Sequence, residues 1–105
     1  MQFLLWLEQR QKGRSLPETG FKYRYATIYR AVKQGVNEFS PMDYVTLSRK
    51  FAKGHADHQF AVEEEPYVVL KAFVPAKDVF EAYNPEEYFY DGPGVQGKII
   101  YTAKS

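Results

Sequence analysis

The residues best suited to chemistry are Arg30, the hydroxyl pair Thr46 and Ser48, and Glu87. Each stands where an apolar run ends or begins: Arg30 closes Thr27-Ile28-Tyr29-Arg30, the hydroxyls lie within Asp43-Tyr44-Val45-Thr46-Leu47-Ser48-Arg49-Lys50-Phe51-Ala52, and Glu87 opens Glu87-Tyr88-Phe89-Tyr90. A guanidinium in an apolar run is costly to bury alone, so Arg30 needs an anionic partner or a cleft. The other reading is an arginine at a sheet edge whose stem carries its charge out to water. Ser48 has the place of a helix N-cap, its hydroxyl able to accept from an amide of the first turn. A strand end, hydroxyls and a helix N-terminus so close together can hold an anionic ligand, although many structural strand-to-helix junctions look the same. Glu87, beside Glu86, reads either as a working carboxylate or as a solvated one at the start of a strand. His55 and His58 are three apart and could share a metal, but with Cys 0 and no third ligand nearby they read better as packed or surface histidines.

These groups must be held by the elements around them. Tyr44, Val45 and Leu47 have strand chemistry, and the helix begun at Ser48 is expected to run to about His58. On it Phe51, Ala52, His55, Ala56 and Gln59 share one face, and Gly54 weakens it by up to about 1 kcal/mol relative to alanine. Phe21 to Val32 alternates with aromatics and predicts a strand or hairpin. Lys33 to Met42 reads as a loop. Tyr67 to Val74 is the clearest strand, apolar enough for the middle of a sheet. Further strands are expected at Val79–Tyr83, Glu86–Tyr90 and Gly97–Ala103, separated by the turn residues of Pro75–Asp78, Asn84-Pro85 and Asp91–Gly94. Phe3 to Leu7 suits a short helix or a buried strand, with Gly13 as a stop. The fold class is therefore α+β: one or two helices on about six mostly antiparallel strands.

The chain has 105 residues, the size of a single domain with a modest core. Aromatics at 17% exclude a disordered chain, and the absence of cysteine fits a reducing compartment. No apolar run reaches membrane-spanning length, and the start has neither a basic segment nor a small-residue cleavage site. A cytoplasmic protein is expected. Lys22, Arg24 and Arg30, interleaved with Tyr23, Tyr25 and Tyr29, could stack on and neutralise a nucleic-acid strand, but a net charge of +1 counts against it.

The order Arg30, then Thr46 with Ser48, then Glu87 resembles the Arg … Ser-Thr-Ser … Glu signature of the ADP-ribosyltransferase fold. The likeness is to its arginine-type branch, which includes many bacterial toxins and phage proteins. Ser48-Arg49-Lys50-Phe51-Ala52 and Val74-Pro75-Ala76-Lys77-Asp78-Val79 also look like phage-borne members. The resemblance spans roughly residues 25–101. Leu47 stands where the family has threonine, and Pro85 stands where many transferases carry a second Glu or Gln that engages the acceptor.

What the resemblance implies is a small split antiparallel sheet, with NAD as substrate and ADP-ribose passed to a host protein or to water. Breaking the nicotinamide–ribose bond passes through an oxocarbenium-like state. Arg30 would then hold the pyrophosphate, and Glu87 would be the catalytic carboxylate near the ribose and its developing charge. Ser48 would steady that carboxylate with Thr46 behind it, and Tyr44 and Phe51 would offer the nicotinamide an aromatic surface. A different class of function also fits the aromatic excess: a non-catalytic protein-binding or inhibitor module on the same scaffold, since aromatic residues are enriched at interfaces.

Overall fold

In the computed structural model, which describes residues 12–104, the chain is organised around β4 (Tyr67–Pro75). Val68, Val69 and Leu70 are fully buried, as the continuous apolar run requires of a strand covered on both faces. β1 (Tyr25–Lys33) pairs antiparallel with it, from Tyr25 opposite Pro75 to Lys33 opposite Tyr67. On its other side lies β8 (Lys98–Ala103), with a register shift between Val69 and Leu70. A second antiparallel sheet has the order β3 (Asp43–Val45), β6 (Tyr88–Tyr90), β5 (Val79–Glu81). A two-stranded ribbon joins β2 (Glu38–Phe39) to β7 (Val95–Gln96). The described residues thus form an α+β fold of eight strands in split antiparallel sheets, with one α-helix, α1 (Arg49–Glu63).

Alternation along the strands decides which layer each residue enters. Ala26, Ile28 and Val32 of β1, with Val68, Leu70, Ala72 and Val74 of β4, form the core shared with Val45, Val79 and Tyr90 of the second sheet. The opposite face of β4 gives Tyr67 and Val69 to α1, which buries Ala52 and Ala56 against them.

Several boundaries differ from the expectation. The first strand starts at Tyr25, opposite Pro75, because its partner strand turns away just beyond that residue. Ala76 makes one more bond, to the Arg24 carbonyl at 2.8 Å, and the chain leaves in a 3-10 turn, Ala76–Asp78. The helix runs past His58 to Glu63, since Phe60 still packs on the sheet. It stops only at Glu64, which takes the left-handed conformation at φ 59°. β2 lies within the stretch expected as loop, and β7 lies between the expected Asp91–Gly94 turn and the last strand; two residues each are too short to show a period. The element expected at Phe3 to Leu7 lies outside the described residues.

Gly54 lies on the open side of α1, and a Cβ there would meet nothing within 4 Å. Gly54→Ala is therefore expected to raise the urea midpoint by the equivalent of about 0.8–1 kcal/mol, with an unchanged slope. At Gly92 the result is the opposite. A Cβ would fall 2.6 Å from the Tyr90 hydroxyl and 2.8 Å from an Asp78 carboxylate oxygen, so only glycine lets this turn close on β6.

Candidate functional site

The candidate site lies where the two sheets part. Thr46 follows β3 directly and exchanges two backbone hydrogen bonds with Tyr29 of β1, each 2.9 Å. Its side chain is buried, and Oγ1 accepts from the Ser48 amide at 3.1 Å. Ser48 then caps α1, with Oγ accepting from the Phe51 amide at 3.0 Å. In these few residues the chain crosses from one sheet to the other and enters the helix. The strand, N-cap and helix expected of this stretch are all present, except that Leu47 lies beyond the strand and packs against the core.

A cavity of about 240 Å³ opens at this crossing. β1 contributes Tyr29 and Arg30, the β3 segment Tyr44, Val45 and Thr46, the helix Phe51 and His55, and the loop before β6 contributes Glu87. A more open depression of about 580 Å³ adjoins it, sharing Phe51 and His55 and adding Ser48, Lys50, His58 and Glu86.

Arg30 has the anionic partner that its setting demands. It shares parity with Ile28 and Val32, so its stem enters the layer between the sheets. Its Nη1 meets Asp43 Oδ2 at 3.0 Å, with both side chains only partly exposed. The same carboxylate oxygen accepts from the Ser40 amide at 2.8 Å, which fixes it for Arg30. The bridge uses one terminal nitrogen of a five-donor guanidinium, leaving donors for an anion at the cavity.

Glu87 is half-buried, and Oε1 accepts from Asn84 Nδ2 at 3.1 Å. Its amide bonds back to the Asn84 carbonyl at 3.3 Å, closing a turn with Pro85 second and Glu86 third. Glu86 has φ 68°, the sign that the third position of a type II turn needs and that glycine usually supplies. Met42, just before Asp43, has the same φ of 68°. A non-glycine residue in this region costs on the order of 1–2 kcal/mol. Two such residues therefore directly precede the acids at this site, each fixing the direction of the carboxylate that follows.

Of the residues singled out in the sequence, Arg30, Tyr44, Thr46, Phe51 and Glu87 line the one cavity, and Ser48 does not. The hydroxyl of Ser48 is committed to the helix N-terminus in the adjoining depression. The hydrogen bond that reaches the Glu87 carboxylate comes from Asn84 instead. Pro85 is explained by the same turn, for its fixed φ suits the second position. Sequence reasoning missed Asp43, although Arg30 called for such a partner. It placed His55 on the same helix face as Phe51 but gave it no part in a site. His55 and His58 lie along the depression, and among the described residues no group of three or more His, Cys, Asp or Glu is placed to hold a metal ion.

Away from the cavity, Arg14 and Glu81 form an ion pair at 3.0 Å. The hydrogen bond and charge of Arg14 hold the Glu81 carboxyl below its ordinary value. Glu18 is also held low, by the amide and hydroxyl of Ser15. A carboxylate depressed in the folded state adds stability that is present above the unfolded value, about 4.3, and is lost as pH falls through the folded one. Urea midpoints followed downward from pH 6 are expected to decline more gently below that value for Glu81→Gln than for the wild type. The exposed pair makes this difference small and reduced by salt.

No helix among the described residues is long and apolar enough to cross a membrane. Searched against family models, curated proteins and solved structures, the chain matches none of them.

Proposed function

We propose that the cavity takes the nicotinamide–ribose end of NAD, and that the protein is an ADP-ribosyltransferase-like enzyme that passes ADP-ribose to a host protein or to water. The observation that supports this reading is the meeting of Arg30, Thr46 and Glu87, distant in sequence, with Tyr44 and Phe51 around one cavity. A volume of about 240 Å³ is below the roughly 300–1,000 Å³ of sites for whole drug-sized ligands. It suits one end of a dinucleotide, with the adjoining depression left for the remainder. Arg30 supplies the donors for a phosphate, and Glu87 lines the same cavity as the aromatic rings. In the hydrolytic form the C–N glycosidic bond breaks and nicotinamide leaves with the electron pair. Water then adds to the ribose carbon and gives up a proton. Glu87 stabilises the positive charge that develops on the ribose.

Mass spectrometry of the protein incubated with NAD and host lysate tests the reading. Release of nicotinamide, or an ADP-ribose adduct on a lysate protein, by the wild type and not by Glu87→Gln is expected. No NAD binding and no turnover would overturn it and leave the non-catalytic protein-binding module, checked by partner capture at physiological salt.

A further inference from the structure

Among the described residues, α1 covers only half of its face of the β1–β4–β8 sheet. The covered half is Tyr29, Ala31, Tyr67, Val69 and Ala103. Beyond the helix, the same face continues through Tyr25 and Thr27 of β1, Lys71 and Phe73 of β4, and Lys98 of β8. Their register sets Thr27 opposite Phe73 and Lys71 opposite both Tyr29 and Lys98. On this bare half the rings of Tyr25 and Phe73 stack, with centroids 5.3 Å apart and planes 21° from parallel. They are nonetheless 50% and 67% exposed. Large aromatic rings this exposed are costly in the isolated protein and mark a contact surface.

The charge on this face is of one sign. None of the residues that the three strands present on it is acidic. Lys71 and Lys98 are exposed and, among the described residues, take part in no ion pair. They lie directly across from one another, about 4.5–5.5 Å apart at Cα, and Phe73 is two residues along from Lys71, about 6.6 Å. Arg24 and Lys77 flank the far end, beside Tyr25. A net charge of +1 averages this surface with the acidic loops elsewhere and so conceals it.

We propose that this half-sheet binds single-stranded nucleic acid: bases stack on Tyr25 and Phe73, and Lys71 and Lys98 take the adjacent phosphates. Exposed rings on a sheet, stacked on each other and each free to take a base on its outer side, suit bases that are themselves unstacked, a condition a duplex does not meet. Two rings accommodate on the order of two bases. The surface lies outside the cavity between the sheets and does not depend on the NAD reading.

The test is fluorescence anisotropy of labelled twelve-nucleotide poly-dT and poly-rU with the full chain, at roughly 50 to 200 mM salt. Binding is expected to weaken about 5- to 150-fold in Tyr25→Ala and in Phe73→Ala. In the double variant Lys71→Gln, Lys98→Gln, the slope of log affinity against log salt should shrink by about 1.4. All four positions are at the surface, so circular dichroism should show the variants folded. Absence of binding at low salt would overturn the proposal. So would binding indifferent to both rings, or equal binding of polyglutamate. Self-association in sedimentation that Phe73→Ala abolishes would assign the face to a second copy of the chain instead.

Discussion

Glu87→Gln is expected to lower nicotinamide release from NAD by at least about 100-fold while leaving the urea midpoint almost unchanged. Glutamine keeps the shape of the side chain and retains a carbonyl oxygen to accept from Asn84 Nδ2, now 3.1 Å from Glu87 Oε1. The turn at Pro85 and Glu86 is held by backbone and should stay closed. On the proposed reading, what is lost is the negative charge of Glu87 beside an oxocarbenium-like ribose in the cavity lined by Tyr44 and Phe51. Arg30→Lys is the companion. Lysine keeps a cation beside Asp43, so stability should hold, but it lacks the planar fork for a phosphate. A weaker affinity for NAD with a smaller change in turnover is the expected pattern. Arg30→Ala would mix the two effects, because it strips Asp43 of its partner at 3.0 Å. Equal turnover in wild type and Glu87→Gln would remove the carboxylate from the reaction, and with it the enzymatic reading.

Leu70→Ala should destabilise the fold by about 2–5 kcal/mol, a large part of a total on the order of 5–15 kcal/mol. Leu70 is fully buried in the central strand and belongs to the core between the two sheets. Gly97 packs so closely on it that a Cβ there would come within 3.0 Å. The space left by truncation is bounded by backbone on that side and cannot close by side-chain motion, so the cost should lie in the upper part of the range. Urea unfolding followed by tyrosine and far-ultraviolet signals checks this. A loss below about 1 kcal/mol would mean that the layer between the sheets can collapse, and that the cavity at its edge is softer than its geometry implies. Gly54→Ala, with its gain, makes a useful control because it acts on the helix alone.

Local chemistry was enough to reveal much of this protein. The apolar run of Tyr67 to Val74 identified the central strand, because burial on both faces removes any need for polar alternation. Ser48 identified the helix start, because an orphan amide and a hydroxyl three residues earlier satisfy one another locally. The α+β class and the antiparallel pairing followed from short strands separated by turn residues.

The tertiary structure decided what depends on contacts between distant residues. It gave Arg30 its carboxylate in Asp43, began β1 where the partner strand turns away after Pro75, and supplied Asn84 in place of Ser48 as the partner of Glu87. It also set how far α1 reaches across the sheet, which leaves Tyr25 and Phe73 open beside Lys71 and Lys98. Parity along each strand is written in the sequence, but the register between strands and the area a helix covers are settled only when the whole core packs.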